Sequence, residues 1–395
     1  MRVAHIITRM IIGGAQENTL FNCLDLMEQY HDEVLLITGP ALGPEGKLLE
    51  QGRAGGLRIA FVDDLRREIH PLRDARAWRQ IKGELRQFQP DVVHTHSAKA
   101  GFLGRWAASG LHVPAIVHTV HGAPFHPYQR PWARRLFIHL ERWASRRCHH
   151  LISVADAMTD LLVTARVAPR DKFTTIYSGM DVEPFVGCGQ FRQAARRELQ
   201  LGDEDVVVGK IARLFHLKGH EFLLAAAPAI VAQNPHVRFL LVGDGILRPE
   251  FERRIADMGL SQHFRFVGLV PPERVPYYLS AMDMLVHTSL REGLARTLPQ
   301  ALIAGKPVVS YDVDGAREVV LTGKTGILLP PKSIAPLAEA VLTLAADGGL
   351  RQRLGEQGAR QFTDQFRHQQ MTARIRQLYE QLLRSSPANR STKAG

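Results

Sequence analysis

Short apolar runs alternate with amphipathic stretches along nearly all of this chain, and the alternation starts twice. Such a pattern constrains the chain to α/β units, because parallel strands are joined by crossovers that are usually helices. In the first series the strands are expected at Val3–Ile7, Glu33–Thr38, Arg58–Phe61, Val92–His94, Ala115–Thr119, Leu151–Val154 and Thr174–Tyr177. Helices are expected at Gln16–Tyr30, Arg73–Phe88, Ala98–Ser109 and Trp132–Arg147. The second series runs through Val206–Ala212, Arg238–Val242, Phe264–Val267, Met284–His287, Pro307–Tyr311 and Gly326–Leu328. Between them "SGMDVEPFVGCGQ" (Ser178–Gln190) is rich in Gly and Pro and lacks a period, as a hinge does. A length of 395 residues also exceeds one ordinary core. The simplest architecture is two Rossmann-like domains facing across a cleft, with ligands at the C-terminal edges of the strands. Leu350–Arg384 reads as helical, and the Ser/Pro-rich end as a disordered tail.

Composition excludes several classes. A hydrophobic content of 45% with 23% charged residues is that of a soluble globular protein. No apolar run approaches the ~18 residues of a membrane span, and Met1–Thr8 reads as a strand, not a signal peptide. The three cysteines, Cys23, Cys148 and Cys188, lack metal-ligand spacing, which suits a reducing cytoplasm. The net charge of +11 is uneven. Between Tyr128 and His150 six arginines (130, 134, 135, 142, 146, 147) face one acid, Glu141, with Trp132, Leu136, Leu140 and Trp143 at helical spacing. A basic helix with tryptophans fits an anionic membrane surface; it equally fits a helix packed on its own sheet with solvated arginines. Signatures of nucleic-acid modules are absent from the sequence.

The chemistry-bearing residues cluster at expected strand ends. "TRMIIGGAQENTL" places Gly13 and Gly14 where a phosphate could approach the backbone ahead of a helix N-terminus. "VGKIARLFHLKGH" presents Arg213 and Lys218 in a loop, two cations able to neutralise a diphosphate without a metal. "LVGDGILRPE" begins like a dinucleotide fingerprint at Gly243 and Gly245, but Arg248 occupies the third glycine position, which disfavours NAD. An apolar loop around Phe266–Val270, including Gly268, could hold a flat base. The pairs His94/His96 and His118/His121 suggest a metal, yet the sequence supplies no third ligand at a settled spacing. His121, followed by Gly122, is the histidine best placed for a substrate. In "SLREGLARTLPQALIAGKPVVSYDVDG", Glu292 is a lone acid at an expected helix entrance and Gln300 lies two turns on; Asp312 and Asp314 are expected to serve helix entry.

Taken in order, "GGAQ", "HTHSAKAG", "HTVHG", "YSGMD", "IARLFHLKGH", "LVGDG" and "REGLARTLPQALIAGKPVV" resemble glycosyltransferase family 4 over roughly residues 1–385. The nearest flavour is that of bacterial capsule, exopolysaccharide and lipopolysaccharide transferases. The resemblance implies a GT-B fold. Residues 1–184 would bind the acceptor and 185–365 the nucleotide sugar; 366–385 would pack back on the N-terminal domain, and 386–395 would be a disordered tail. It implies retaining transfer from a nucleotide sugar, UDP-linked at the family level, to a glycan or polyprenyl-linked acceptor, with no metal and no cofactor, on the inner face of the plasma membrane. Arg213 and Lys218 would neutralise the leaving diphosphate, Glu292 would bind sugar hydroxyls, and His121 would lie beside the transferred sugar. Gly13, Gly14, Gly243, Gly268, Gly293 and Leu294 would line the donor. In the family motif E-x7-E the second glutamate grips the ribose; this chain has Gln300 there. That departure is the one feature favouring a catalytically dead sugar-nucleotide-binding scaffold, and a GT-B UDP-sugar epimerase is the other competing reading.

Overall fold

The computed structural model describes residues 1–42, 48–51 and 55–385, so the expected tail 386–395 lies outside the described residues. The chain forms two compact units, Met1–Met180 together with the segment from Phe366 onward, and Asp181–Gln365.

The first unit is built on seven parallel strands: β1 (Arg2–Arg9), β2 (Glu33–Gly39), β3 (Arg58–Phe61), β4 (Val92–His96), β5 (Ala115–Val120), β6 (His150–Ser153) and β7 (Phe173–Thr175). Their order is β3-β2-β1-β4-β5-β6-β7. The inner strands β1, β4 and β5 are buried along nearly their whole length because helices cover both faces, as parallel sheets require. β1, β2, β4 and β5 extend one or two residues past their apolar runs, since inter-strand bonds continue through Thr95, His96 and Thr119. The chain returns at the end: the helix His368–Ser385 buries Met371, Ile375, Leu378 and Tyr379 against Val3, Ile7, Leu20, Cys23, Val92 and Val117. Ions fasten that contact. Arg376 Nε donates to Asp32 Oδ2 at 3.0 Å, and the N-terminal ammonium meets Asp32 Oδ1 at 2.7 Å.

The second unit has six parallel strands: β8 (Val206–Ile211), β9 (Val237–Val242), β10 (Phe264–Gly268), β11 (Met284–His287), β12 (Val308–Tyr311) and β13 (Gly326–Leu329), ordered β10-β9-β8-β11-β12-β13. In both sheets the strand order reverses once, at β1/β4 and at β8/β11. The C-terminal edge at such a reversal is the usual ligand position of an open α/β sheet.

The basic helix runs from Pro131 to Ser145, Pro131 supplying the preset φ of a first helical residue. Only Glu141, Ala144 and Ser145 are buried in it. Trp143 stacks on Phe102 with Arg147 over its ring, so this tryptophan belongs to internal packing. Trp132 and Leu136 stay 64% and 48% exposed. The anchor of the helix is electrostatic: Arg105, wholly buried on the helix Ala98–Ser109, donates to Glu141 Oε2 at 3.1 Å and to the Gly101 carbonyl at 2.7 Å. Removing one partner of a buried pair strands the other charge, which costs about 3–5 kcal/mol. Glu141→Ala is therefore expected to lower the denaturant midpoint by an amount equivalent to about 3 kcal/mol or more, and chemical unfolding of the variant measures it.

Candidate active site

Lys218 and Glu292 are 74 residues apart, yet Lys218 Nζ donates to Glu292 Oε1 at 2.6 Å. Sheet topology explains the meeting. β8 and β11 pair in register, Met284 beside Val208 and Leu285 beside Gly209, so the loops that follow them leave the same edge side by side. A backbone bond from Leu290 N–H to the Leu217 carbonyl (2.9 Å) ties the two loops together. Gly219, at φ 68, stands where an added Cβ would meet the Thr288 carbonyl at 1.8 Å, so glycine is required for this approach.

Burial pushes the Glu292 carboxyl up, but the adjacent Lys218 ammonium outweighs it and holds the group below the ordinary glutamate range. The contact is thus an ion pair at neutral pH. His287 Nε2 lies 3.8 Å from the same carboxylate, but burial drives its pKa down to about 3, so it is neutral and not an ionic partner.

Two features supporting this pair went unread in the sequence: what the Asp314 carboxylate holds, and Lys210. Asp314 Oδ2 accepts the Glu292 backbone N–H at 2.7 Å, and Gly315 N–H bonds the Gly293 carbonyl at 3.0 Å, so the loop after β12 clamps the loop after β11. The helix-entry expectation holds for Asp314, which opens the short 3-10 helix Asp314–Glu318 while its carboxylate also holds the Glu292 backbone; Asp312 instead pairs with Arg317 at 2.7 Å. The second unread feature is Lys210, wholly buried in β8, whose Nζ donates to Thr288 Oγ1 at 2.9 Å; Thr288 in turn donates to the Gly219 carbonyl at 2.6 Å. Burial lowers Lys210 to a pKa of about 7. Its signal lay in the run "VVVGKIA", where Lys210 shares strand parity with the core residue Val208.

The remaining second-unit candidates are placed as follows. Arg213 is exposed in the same loop as Lys218, its guanidinium 5.1 Å from the Phe215 ring centre. Gly243 N–H bonds the Gly268 carbonyl at 2.9 Å. A Cβ on Gly243 would meet the Ala212 carbonyl at 2.2 Å, so its bareness serves close packing on the residue before Arg213. Gln300 lies within the helix Thr297–Ile303, while Glu292 and Leu294 lie in the irregular loop ahead of it. The expectation that Glu292 and Gln300 share one helical face is corrected: the helix begins only at Thr297, because the preceding loop spends its backbone bonds on the β8 and β12 loops.

In the first unit Gly13 is extended and leads into a helix starting at Gly14, with no side chain capping its N-terminus. The histidines form one array. His5, His94 and His96 bring ring nitrogens within 4.8 Å of one another, so a third histidine joins the pair seen in sequence. Spacing could not show it, since His5 reaches β4 only through strand pairing. Both His94 nitrogens are engaged by hydroxyls, Nδ1 with Tyr379 at 2.5 Å and Nε2 with Thr119 at 2.7 Å. His96 Nε2 meets His5 Nδ1 at 3.0 Å, and His96 Nδ1 meets His121 Nε2 at 3.1 Å. His118 sits on the opposite face, bonded to Thr95 at 2.9 Å and packed under Gly101. At the C-terminal ends of β1 and β2 a small pocket is lined by Thr8, Arg9, Leu65, Arg66, Arg67 and Glu68, three cations to one acid.

Because the folded-state pKa of Glu292 is depressed, its contribution to stability is present above the unfolded value and lost as pH falls through the folded one. The stability difference between the wild type and Glu292→Gln is expected to be largest near pH 7 and to shrink below pH ~4. Urea titrations at stepped pH values test this.

The family described as Glycosyltransferase Family 4 matches residues 12–184, and Glycosyl transferases group 1 matches residues 191–361. An Escherichia coli UDP-Gal:alpha-D-GlcNAc-diphosphoundecaprenol alpha-1,3-galactosyltransferase is 27% identical over 350 residues, covering 88% of each chain. A Streptomyces fradiae 2-deoxystreptamine N-acetyl-D-glucosaminyltransferase is 30% identical over 72% of this chain and 67% of its own length. Among solved structures, Anabaena HepE in complex with UDP-glucose superposes with a TM-score of 0.80 at 22% identity, over 96% of this chain and 100% of that one. Two parallel-sheet units, a Lys–Glu pair at the second sheet's switch point and matches to both halves agree: this chain belongs to the family 4 glycosyltransferases of GT-B fold.

Proposed function

We propose that this glycosyltransferase moves a sugar from a UDP-sugar to a glycan or polyprenyl-diphosphate-linked acceptor in cell-surface polysaccharide synthesis, with retention of configuration and without a metal ion. The observation that carries the reading is the 2.6 Å contact between Lys218 and Glu292 at the β8/β11 edge. Departure of a nucleoside diphosphate builds negative charge on the leaving group and positive charge on the anomeric carbon. Lys218, with Arg213 from the same loop, answers the first. Glu292 accepts hydrogen bonds from the donor sugar's hydroxyls, and the Gly293–Leu294 backbone touches sugar and phosphate. The pairing keeps the Glu292 carboxylate ionised and orients both side chains for the donor. The β9 and β10 loop glycines, Gly243 and Gly268, flank the nucleotide, and Gln300 takes a ribose hydroxyl through its carbonyl. In the first unit His121 hydrogen-bonds the transferred sugar, and Gly13 and Gly14 line the donor diphosphate. Attack from the face of the leaving group, whose phosphate takes the acceptor proton, needs no protein nucleophile.

The choice of UDP rests on relatives: the E. coli enzyme is named for UDP-Gal, and HepE was solved with UDP and UDP-glucose. A lipid-linked acceptor rests on the diphosphoundecaprenol in the same E. coli name and on features of this chain. The arginine pocket suits a diphosphate, and Ile69 and Leu72 beside it are 75% and 72% exposed. No described helix is long and apolar enough to cross a membrane. Docking would use the helix Pro131–Ser145, whose Trp132 and Leu136 are exposed beside its arginines.

Three outcomes are expected. Glu292→Ala abolishes transfer from UDP-sugars, whereas Gln300→Glu leaves kcat similar and tightens the donor roughly tenfold, the difference between a neutral and a charged acceptor. Steady-state kinetics with a UDP-sugar panel decide this, and equal damage from Gln300→Ala and Glu292→Ala would sink the ribose assignment. Activity persists in EDTA; loss on chelation with rescue by manganese would overturn the metal-free reading. Neutralising Arg134, Arg135, Arg146 and Arg147 together weakens sedimentation with anionic vesicles, and unchanged binding would assign those arginines to a merely solvated face.

A further inference from the structure

Lys210 is wholly buried near the C-terminal end of β8, at the strand parity of the core residue Val208. That parity is ordinarily apolar, because the helix His220–Gln233 packs its Leu223, Leu224 and Ala227 into the same core. Lys210 Nζ lies 2.9 Å from Thr288 Oγ1, whose single hydrogen is spent on the Gly219 carbonyl at 2.6 Å, so Lys210 is the donor. An amine and an ammonium can both make this bond. An ammonium carries three N–H groups, yet among the described residues Nζ has no second acceptor and no carboxylate within bonding distance.

The charged and titratable groups around Lys210 do not make up that deficit. Lys218, from the loop after β8, is a second cation, and its ammonium is engaged with Glu292. Glu292 itself and Glu221, in the first turn of the helix His220–Gln233, favour the Lys210 ammonium only from beyond contact. His220 on that helix and His287 at the end of β11 add nothing, since burial holds both rings neutral, well below the ordinary histidine range. No side chain caps the helix, so the positive end of its dipole is unanswered as well. Burial first, and the Lys218 charge second, lower Lys210 to about 7. The cluster is short of negative charge.

We propose that Lys210 is a positioning residue of the diphosphate site, a buried amine that becomes an ammonium when a nucleoside diphosphate binds at Lys218 and Arg213. This role rests on the diphosphate site of the function proposed above. The ligand brings the negative charge that the cluster lacks, and a dry interior screens it little. The step is a protonation: the Nζ lone pair takes a proton from solvent, Nζ becomes positive, and no other bond is made or broken. Because the Thr288 bond exists in both forms, the side chain need not move. The sign follows by linkage. Free Lys210 is an ammonium below about pH 7 and an amine above it, and a bound anion raises that midpoint. The affinity that Lys210 adds is therefore full below the free value and is lost as pH rises through the bound one.

The test counts protons and needs no turnover. UDP is titrated calorimetrically into the full-length protein at pH 8.0, in HEPES and in Tris, whose different ionisation enthalpies convert proton uptake into a difference in heat. The terminal phosphate of UDP ionises near pH ~6, and cations around it keep it ionised, so any uptake comes from the protein. The wild type is expected to take up more than about half a proton per UDP. Lys210→Met is expected to take up none, and to bind UDP about tenfold more weakly than the wild type at pH 6.5, a gap that narrows by pH 9.0. Lys210→Arg, charged throughout, binds without uptake and serves if the methionine variant fails to fold. UDP binding without uptake in the wild type overturns the proposal alone, whatever the variants do. Equal uptake in Lys210→Met overturns it too, by assigning the proton to another group. Failure of UDP to bind the wild type sinks the diphosphate site, and this role with it.

Discussion

Parallel pairing of β8 with β11 is the contact on which the second unit's chemistry depends. Three crossovers separate these strands in sequence, yet their ladder sets Val208 beside Met284 and fixes where both following loops begin. From that edge the Lys218 ammonium meets the Glu292 carboxylate at 2.6 Å. The pair is supported from below by backbone and polar bonds: Asp314 on the Glu292 amide, Leu217 on Leu290, and Lys210 through Thr288 to Gly219. Asp314 fixes the Glu292 backbone amide while Lys218 fixes its carboxylate; under the function proposed above, a group held in this way needs little reorganisation when a donor arrives.

The first unit solves a different problem, that of burying titratable rings. Four of its strand-borne or strand-end histidines lie on one face, where charge would be prohibitive. The C-terminal helix closes that face with Met371, Ile375, Leu378 and Tyr379, whose hydroxyl bonds His94. Neutral rings bonded to each other are an economical way to fill such a space, because each supplies the partner its neighbour needs. The same helix is anchored at the sheet's periphery by Asp25 and Asp32, which accept from Thr372 and Arg376. A segment distant in sequence thus completes the core that sets the histidine geometry.

Much of the architecture was legible in order along the chain. Expected runs of three to seven residues located the thirteen strands of the described residues to within two residues at every end, since burial on both faces writes a largely apolar signal. Glu292, Lys218 and Arg213 stood out because charged residues in glycine-bounded loops after strands are exceptions to that signal. Other features were illegible for physical reasons. His5 looked like a strand residue, because its partners arrive from β4. Asp314 was legible as a helix-entry acid but not as the holder of the Glu292 amide, because that amide belongs to another loop. The helix around Gln300 appeared to begin at Glu292, because local pattern cannot register that the intervening backbone is claimed by neighbouring loops.

By itself the sequence determined the class of fold, two parallel α/β sheets, and the membership of a glycosyltransferase family carried by motifs in both halves. Those depend on local periodicity and on residue types at short spacings. Only the tertiary structure decided which charges meet, which acid clamps which loop, and how five histidines divide between one face and the other. The reason is that strand order in a doubly wound sheet departs from chain order at β1/β4 and β8/β11. At those two places contact is set by hydrogen-bond register between strands far apart in the chain, and no local pattern carries that information.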